Sequence, residues 1–184
     1  MEWILLKQIY IIRHCEAEGQ PPEAPLTAKG MKQALELAEF FSTIEVDRII
    51  SSPYKRAMDS IQPLAQNKGV RVEADARLTE RILSGHPMPD WFEKLRNTFE
   101  DLDLKFEGGE SSLEAMNRIV EVVEEILHSL DETTLIVTHG NLMSLLLKHI
   151  NAEFGFEEWK NLRNPDVYLL KYEENKVAFE RVWE

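Results

Sequence analysis

The sequence predicts an α/β protein with a mostly parallel sheet, helices on both faces and antiparallel strands at one edge. Three observations predict it. Short apolar runs alternate with segments of helical spacing along most of the chain. No internal repeat or linker interrupts that alternation. Two final apolar runs are separated only by Glu173-Glu174-Asn175, a hairpin signal. One domain over residues 1–184 is the expectation, with 84–109 as a small cap segment.

The elements follow in order. Leu5 to Ile12 reads as a buried first strand running into Arg13-His14. After a loop bearing Pro21, Pro22 and Pro25, Thr27 is placed to cap a helix reaching about Phe41, with Met31, Leu35, Ala38 and Phe41 at helical spacing. Asp47 to Ser51 is a short strand, after which Ser52 caps a helix carrying Pro53 at its first position. Pro63 should kink or split that helix, and Gly69 ends it. Val70 to Glu73 is a further strand, followed by a short strand or loop at Ala76 to Thr79. A helix is expected near Asp90 to Glu100. The clearest helix begins at Ser111, with Glu114 completing a capping box and Leu113, Met116, Ile119, Val120, Val123, Ile126, Leu127 and Leu130 as its core stripe. Thr134 to Thr138 is a buried strand opening into His139-Gly140 and a helix from Asn141 to Ile150, before the closing runs Val167 to Tyr172 and Lys176 to Trp183.

Composition narrows the function. The chain has 184 residues, 43% of them hydrophobic and 29% charged, which excludes a disordered segment. Its net charge of −12 argues against a nucleic-acid or anionic-membrane binder, because a polyanion is repelled at long range. With Cys15 as the one cysteine, no internal disulfide can form. The apolar Trp3-Leu6 run is interrupted by Lys7 and Gln8, follows an acid rather than a basic flank, and is too short to span a bilayer. A soluble cytoplasmic protein is the working expectation.

In open α/β sheets, ligands bind beyond the carboxyl ends of the strands. His14 and His139 lie just past strand ends, and Ser51-Ser52 leads to Arg56 one turn into a helix. The fold therefore gathers Arg13, His14, Arg56 and His139 on one rim. Two guanidinium groups suit a phosphate, each charge-assisted hydrogen bond contributing roughly 1.5–3 kcal/mol. The helix beginning at Gly140 adds backbone N–H donors. A histidine there can act as a nucleophile, and a carboxylic acid must then protonate the departing alkoxide. Glu80 is one candidate that residue chemistry alone does not single out. His86, His128 and His149 fit no metal-ligand spacing and read as structural or surface residues, so no metal site is expected.

Six ordered motifs carry a family resemblance: Arg13-His14-Cys15-Glu16; Leu26-Thr27-Ala28-Lys29-Gly30 with Gln33-Ala34; Ser51-Ser52-Pro53 with Arg56-Ala57; Leu78-Thr79-Glu80; Gly109-Glu110-Ser111; and Val137-Thr138-His139-Gly140. Over residues 5 to 150 the chain resembles the histidine phosphatase superfamily, in its phosphoglycerate-mutase-like branch. The resemblance implies a three-layer α/β/α sandwich and catalysis without metal or organic cofactor. It implies His14 as the phosphorylated nucleophile, Glu80 as the proton donor, and Arg13, Arg56 and His139 as phosphate-holding groups, with Gln20 and Gly140 beside them. The implied activity is hydrolysis of a small-molecule phosphate ester through a phosphohistidine. Phosphoglycerate mutase activity and a non-catalytic phosphate-binding regulator are the alternatives.

Two positions depart from the family pattern. Cys15 stands where Gly is usual, which predicts a tighter or tilted pocket. It reads first as a small residue tolerated there, the alternative being a thiol acidified by two arginines and open to redox control. Gln20 stands where many members have Asn. Glu110 reads as a helix-terminus acid. The cap aromatics Trp91, Phe92, Phe99 and Phe106 form either a satellite core or a wall for the organic part of a substrate.

Overall fold

A computed structural model describes residues 7–173 and 176–184; Leu5-Leu6, the start of the expected first strand, and Glu174-Asn175 lie outside them. The elements are β1 (Gln8–Arg13), α1 (Ala28–Phe40), β2 (Arg48–Ser51), α2 (Lys55–Lys68), β3 (Val72–Ala74), a 3-10 turn (Ala76–Leu78), α3 (Trp91–Glu100) and α4 (Ser112–Leu127). Then come β4 (Thr133–Thr138), α5 (Gly140–Ile150), α6 (Phe156–Lys160), β5 (Asp166–Glu173) and β6 (Lys176–Arg181). The sequence patterns do not predict α6, whose five residues are too few to show a period.

Sheet order is β3-β2-β4-β1-β5-β6. The first four strands are parallel, and β5 and β6 pair antiparallel at one edge. Alternation along β1 explains the layers. Ile9 and Ile11 face a core shared with α3 to α6, whereas Tyr10 and Ile12 face a core shared with α1 and α2. The three-layer α/β/α class expected from the sequence is the observed one. No helix among the described residues is long and apolar enough to cross a membrane.

Local differences have local causes. In α1, Met31 and Leu35 are 58% and 62% exposed, and the inward residues are Ala34, Leu37, Ala38 and the flanking Phe41. Gly30 sets this rotation: a Cβ there would lie 2.0 Å from the Glu16 carbonyl oxygen, so only glycine lets the helix seat against that backbone. The second helix starts at Lys55 rather than beside Ser52, because the Ser52 N–H still extends the strand ladder by donating to the Val137 carbonyl. Pro63 does not split it; α2 runs unbroken to Lys68. β3 begins two residues later than expected, since the Val70 N–H donates back to the Ala65 carbonyl and finishes α2. The capping box at Ser111 and Glu114 forms as read. Along α4, Ala115 and Val122 join the core and Leu113 is 38% exposed, while Leu130 lies beyond the helix end and is 94% exposed.

Candidate active site

Register makes the site. Arg13 pairs with Thr138, and Ser51 with Val137, so β1, β4 and β2 end on one rim. The His14 N–H continues the ladder to the Thr138 carbonyl at 3.0 Å. His14 and His139 follow those ends directly, their ring centroids 5.1 Å apart. His14 borders a cavity of about 470 Å³ whose lining includes Arg13, Gln20, Glu80, Gly140 and Asn141, whereas His139 and Arg56 lie buried behind that lining.

The His14 ring has a fixed tautomer. Its Nδ1 lies 2.7 Å from the Cys15 carbonyl oxygen, which can only accept, so Nδ1 carries the proton and Nε2 the lone pair. Arg56 Nε–H points at that Nε2 from 3.3 Å. Burial, with Arg13 and Arg56 adding their charge, pushes the His14 pKa down to about 3, so the ring stays neutral. Arg56 itself is 1% exposed, and its Nη1 donates to the carbonyls of Gln20 and Pro21, both at 2.9 Å. The Gln20 main chain thus holds Arg56, while its side chain is exposed beside the cavity.

Arg13 Nη1 donates to the carbonyls of Leu162 at 3.1 Å and Arg163 at 3.3 Å, while its Nε is buried without a partner. A Cβ on Gly140 would meet that Nε at 2.9 Å, so glycine lets the guanidinium lie against the start of α5. The loop supplying the carbonyls is itself tied down. Buried Asp166 accepts from Arg163 N–H and pairs with Arg181, and Asn164 Nδ2 donates to the His14 carbonyl at 2.9 Å. Gln33 Nε2 in turn donates to the Asn164 carbonyl.

His139 is fully buried, with Nε2 2.8 Å from the Ser52 hydroxyl and Nδ1 unpartnered. Burial first, then His14 and the arginines, holds its pKa well below the usual value. These two depressed histidines give a signed pH dependence. An unfolded histidine protonates near pH 6.5, whereas folded His14 resists to about 3. Between those values the unfolded chain binds the extra proton, so this group lowers stability as pH falls, by up to about 1.4 kcal/mol per pH unit. The urea midpoint should therefore drop less steeply from about pH 7 to about pH 5 in His14→Gln than in wild type. Parallel slopes would contradict the assignment.

The position of Glu80 differs from what a free acid would show. Its carboxylate accepts from Asn141 N–H and Leu142 N–H, each at 3.0 Å, and from Arg81 N–H at 2.8 Å. Two donors at the start of α5, expected to face a phosphate, thus go to Glu80. Of the expectations for Cys15, the tolerated small residue is the one observed, and the tighter pocket and the acidified thiol are corrected. Its side chain is fully buried in the core beneath α1 and α2, its backbone N–H donates to Ser60 Oγ, and burial pushes the thiol up to about 12. It neither narrows the cavity nor is open to redox control. Glu110 is paired with Arg118 and capped by the Ile82 N–H, as suits a structural acid.

Several contributors escape the sequence reading. Ser52 orients His139. Asn141 lines the cavity, 6% exposed, with both amide atoms unpartnered; its place directly after His139-Gly140 is the signal that points to it. Asn164 and Trp159 come from segments without any pattern. The cap aromatics divide: Trp91 lines the cavity, while Phe99 is buried in the core. Among the described residues no group of His, Cys, Asp or Glu could hold a metal ion.

A family model described as histidine phosphatase superfamily (branch 1) matches residues 9–184. The chain is similar to a probable phosphoglycerate mutase GpmB of Salmonella choleraesuis, 28% identical over 192 residues, covering 92% of this chain and 86% of that one. Among solved structures it is similar to mycobacterial hydrolase 1, with a TM-score of 0.78 and 23% identity over 97% of this chain and 98% of that one. A mycobacterial glucosyl-3-phosphoglycerate phosphatase gives 0.77 and 22% over 96% and 97%, and has also been solved with inorganic phosphate. At such identities the structural likeness concerns the fold.

Proposed function

From the premise that the chain belongs to the histidine phosphatase superfamily, we propose that it hydrolyses small phosphomonoesters through a phosphohistidine. The observation that carries this reading is the His14 ring, its Nδ1–H fixed on the Cys15 carbonyl and its Nε2 lone pair facing Arg56. In the first step Nε2 attacks phosphorus and the P–O ester bond breaks. Glu80 enters this step as the carboxylic acid and gives its proton to the departing alkoxide. In the second step water attacks the phosphohistidine, Glu80 takes the water proton, and orthophosphate leaves. Arg13 and Arg56 hold the charge on the phosphoryl oxygens, so no metal is needed for neutralisation.

A mutase reading is favoured by the name of the Salmonella relative. Against it stands Arg81, the remaining cation lining the cavity. The residue is 6% exposed and its guanidinium sends three N–H groups to the Glu110 carbonyl and the Thr98 hydroxyl, so it is turned away from a substrate carboxylate. A non-catalytic regulator has no use for both His14 and Glu80. The test is p-nitrophenyl phosphate turnover with and without EDTA, alongside phosphorus NMR of 3-phosphoglycerate. Orthophosphate release that survives EDTA is expected. Phosphate migration to the 2-position, or loss of activity restored by a divalent ion, would overturn the reading.

A further inference from the structure

We propose that the outer half of the cavity is a subsite for an uncharged apolar or aromatic alcohol portion, so that the preferred substrates are phosphate esters of such alcohols; this rests on the phosphomonoesterase reading above. Two tryptophans carry the argument. Trp91 of α3 and Trp159 of α6 both line the cavity, as do Leu83 and Leu95. Trp91 is 49% exposed, an apolar surface that a bound hydrocarbon would remove from water.

The wall is built before any ligand arrives. Trp159 packs on Phe156 with ring centroids 5.3 Å apart, and Phe92 stands edge-on to Phe156 at 5.0 Å. Trp91 meets Phe92 edge-on at 5.5 Å. This aromatic cluster clasps α3 to α6, so the rings are held in place by their neighbours. A prebuilt surface spends little ordering entropy on binding.

Charge points the same way. The acids on the wall are committed: Glu16 to the Thr27 hydroxyl and Lys29, Glu80 to three backbone N–H groups. Among the described lining residues, Arg13 faces the phosphoryl end and Arg81 is turned to Glu110 and Thr98. A substrate carboxylate would meet two acids and indole rings with no cation to pair it. A buried anion left unpaired is strongly disfavoured.

The experiment compares esters whose leaving alkoxides have similar basicity: 3-phenylpropyl phosphate, n-propyl phosphate and glycerol 3-phosphate, with 3-phosphoglycerate as the carboxylated case. Filling an apolar subsite with added hydrocarbon improves kcat/KM by about tenfold or more. The phenylpropyl ester should exceed the propyl ester by that factor, chiefly in KM, and 3-phosphoglycerate should not exceed either. Trp91→Ala should pull the phenylpropyl-to-propyl ratio toward unity, and the milder Trp159→Phe should lower it in part. A wild-type ratio near one, a ratio unmoved by Trp91→Ala, or preference for 3-phosphoglycerate overturns the subsite and leaves the hydrolase reading standing. Failure to hydrolyse any ester, p-nitrophenyl phosphate included, overturns both.

Discussion

His14→Ala is expected to abolish turnover and, with it, the incorporation of acid-labile phosphate into the protein. The cavity offers no substitute. The Cys15 thiol points into the core and is held protonated by burial. His139 has one ring nitrogen on Ser52 and the other fully buried. A water attacking directly would still find the arginines, but without a nucleophile of fixed tautomer. Deleting a nucleophile that works as part of a unit costs on the order of 10⁴–10⁶ in kcat. The measurement is a rapid acid-free quench with ³²P-labelled substrate, followed by acid and base stability of the protein-bound label. Label retained by His14→Ala would move the covalent step to another residue.

The second large effect is expected from Glu80→Gln, and it depends on the leaving group. An alkyl alkoxide needs a proton as the P–O bond breaks, whereas p-nitrophenolate leaves unaided. General acid catalysis contributes about 10²–10⁴-fold where it is required. Phosphorylation of His14 by alkyl phosphates should slow by that factor, and by p-nitrophenyl phosphate far less. The structure adds a reason to compare both. Glu80 accepts three N–H bonds, and the amide of the variant keeps one acceptor oxygen, so some loss of positioning strikes every substrate equally. The difference between substrates isolates the proton. Because the proposed route also uses Glu80 in the water step, the burst of released alcohol or phenol is the quantity to follow, not the steady state. Equal slowing would make Glu80 a positioning residue only.

Most of what places the site was legible in the chain. Strand–helix alternation alone put His14, His139 and the Arg56 helix at parallel strand ends, and the observed register bears that out. What was not legible depends on contacts between distant segments. The rotation of α1 follows from Gly30 resting on the Glu16 carbonyl, which no periodicity of Met31 and Leu35 reveals. The fate of Cys15 turned on which way one side chain points, into the core beside Ser60 rather than toward the arginines. Glu80 could be named from its motif, but its seat on the N–H groups of Asn141 and Leu142 joins residues about sixty positions apart in the chain. Trp159 sits in a helix too short to have a pattern.

The loop between α6 and β5 has a thermodynamic consequence. Its carbonyls hold Arg13, and its own anchor is Asp166 gripping Arg181 on the edge strand β6. β6 has little burial of its own, so fraying should begin there. Each fraying event loosens the Arg181 tether and, through it, the guanidinium. Linkage runs both ways: a phosphate on Arg13 must hold the sheet edge closed. A ligand at a hundred times its dissociation constant adds about 2.7 kcal/mol to the state that binds it. Orthophosphate, the product of the proposed reaction, is therefore expected to brace the C-terminal hairpin as well, and adding it should slow amide exchange at that edge.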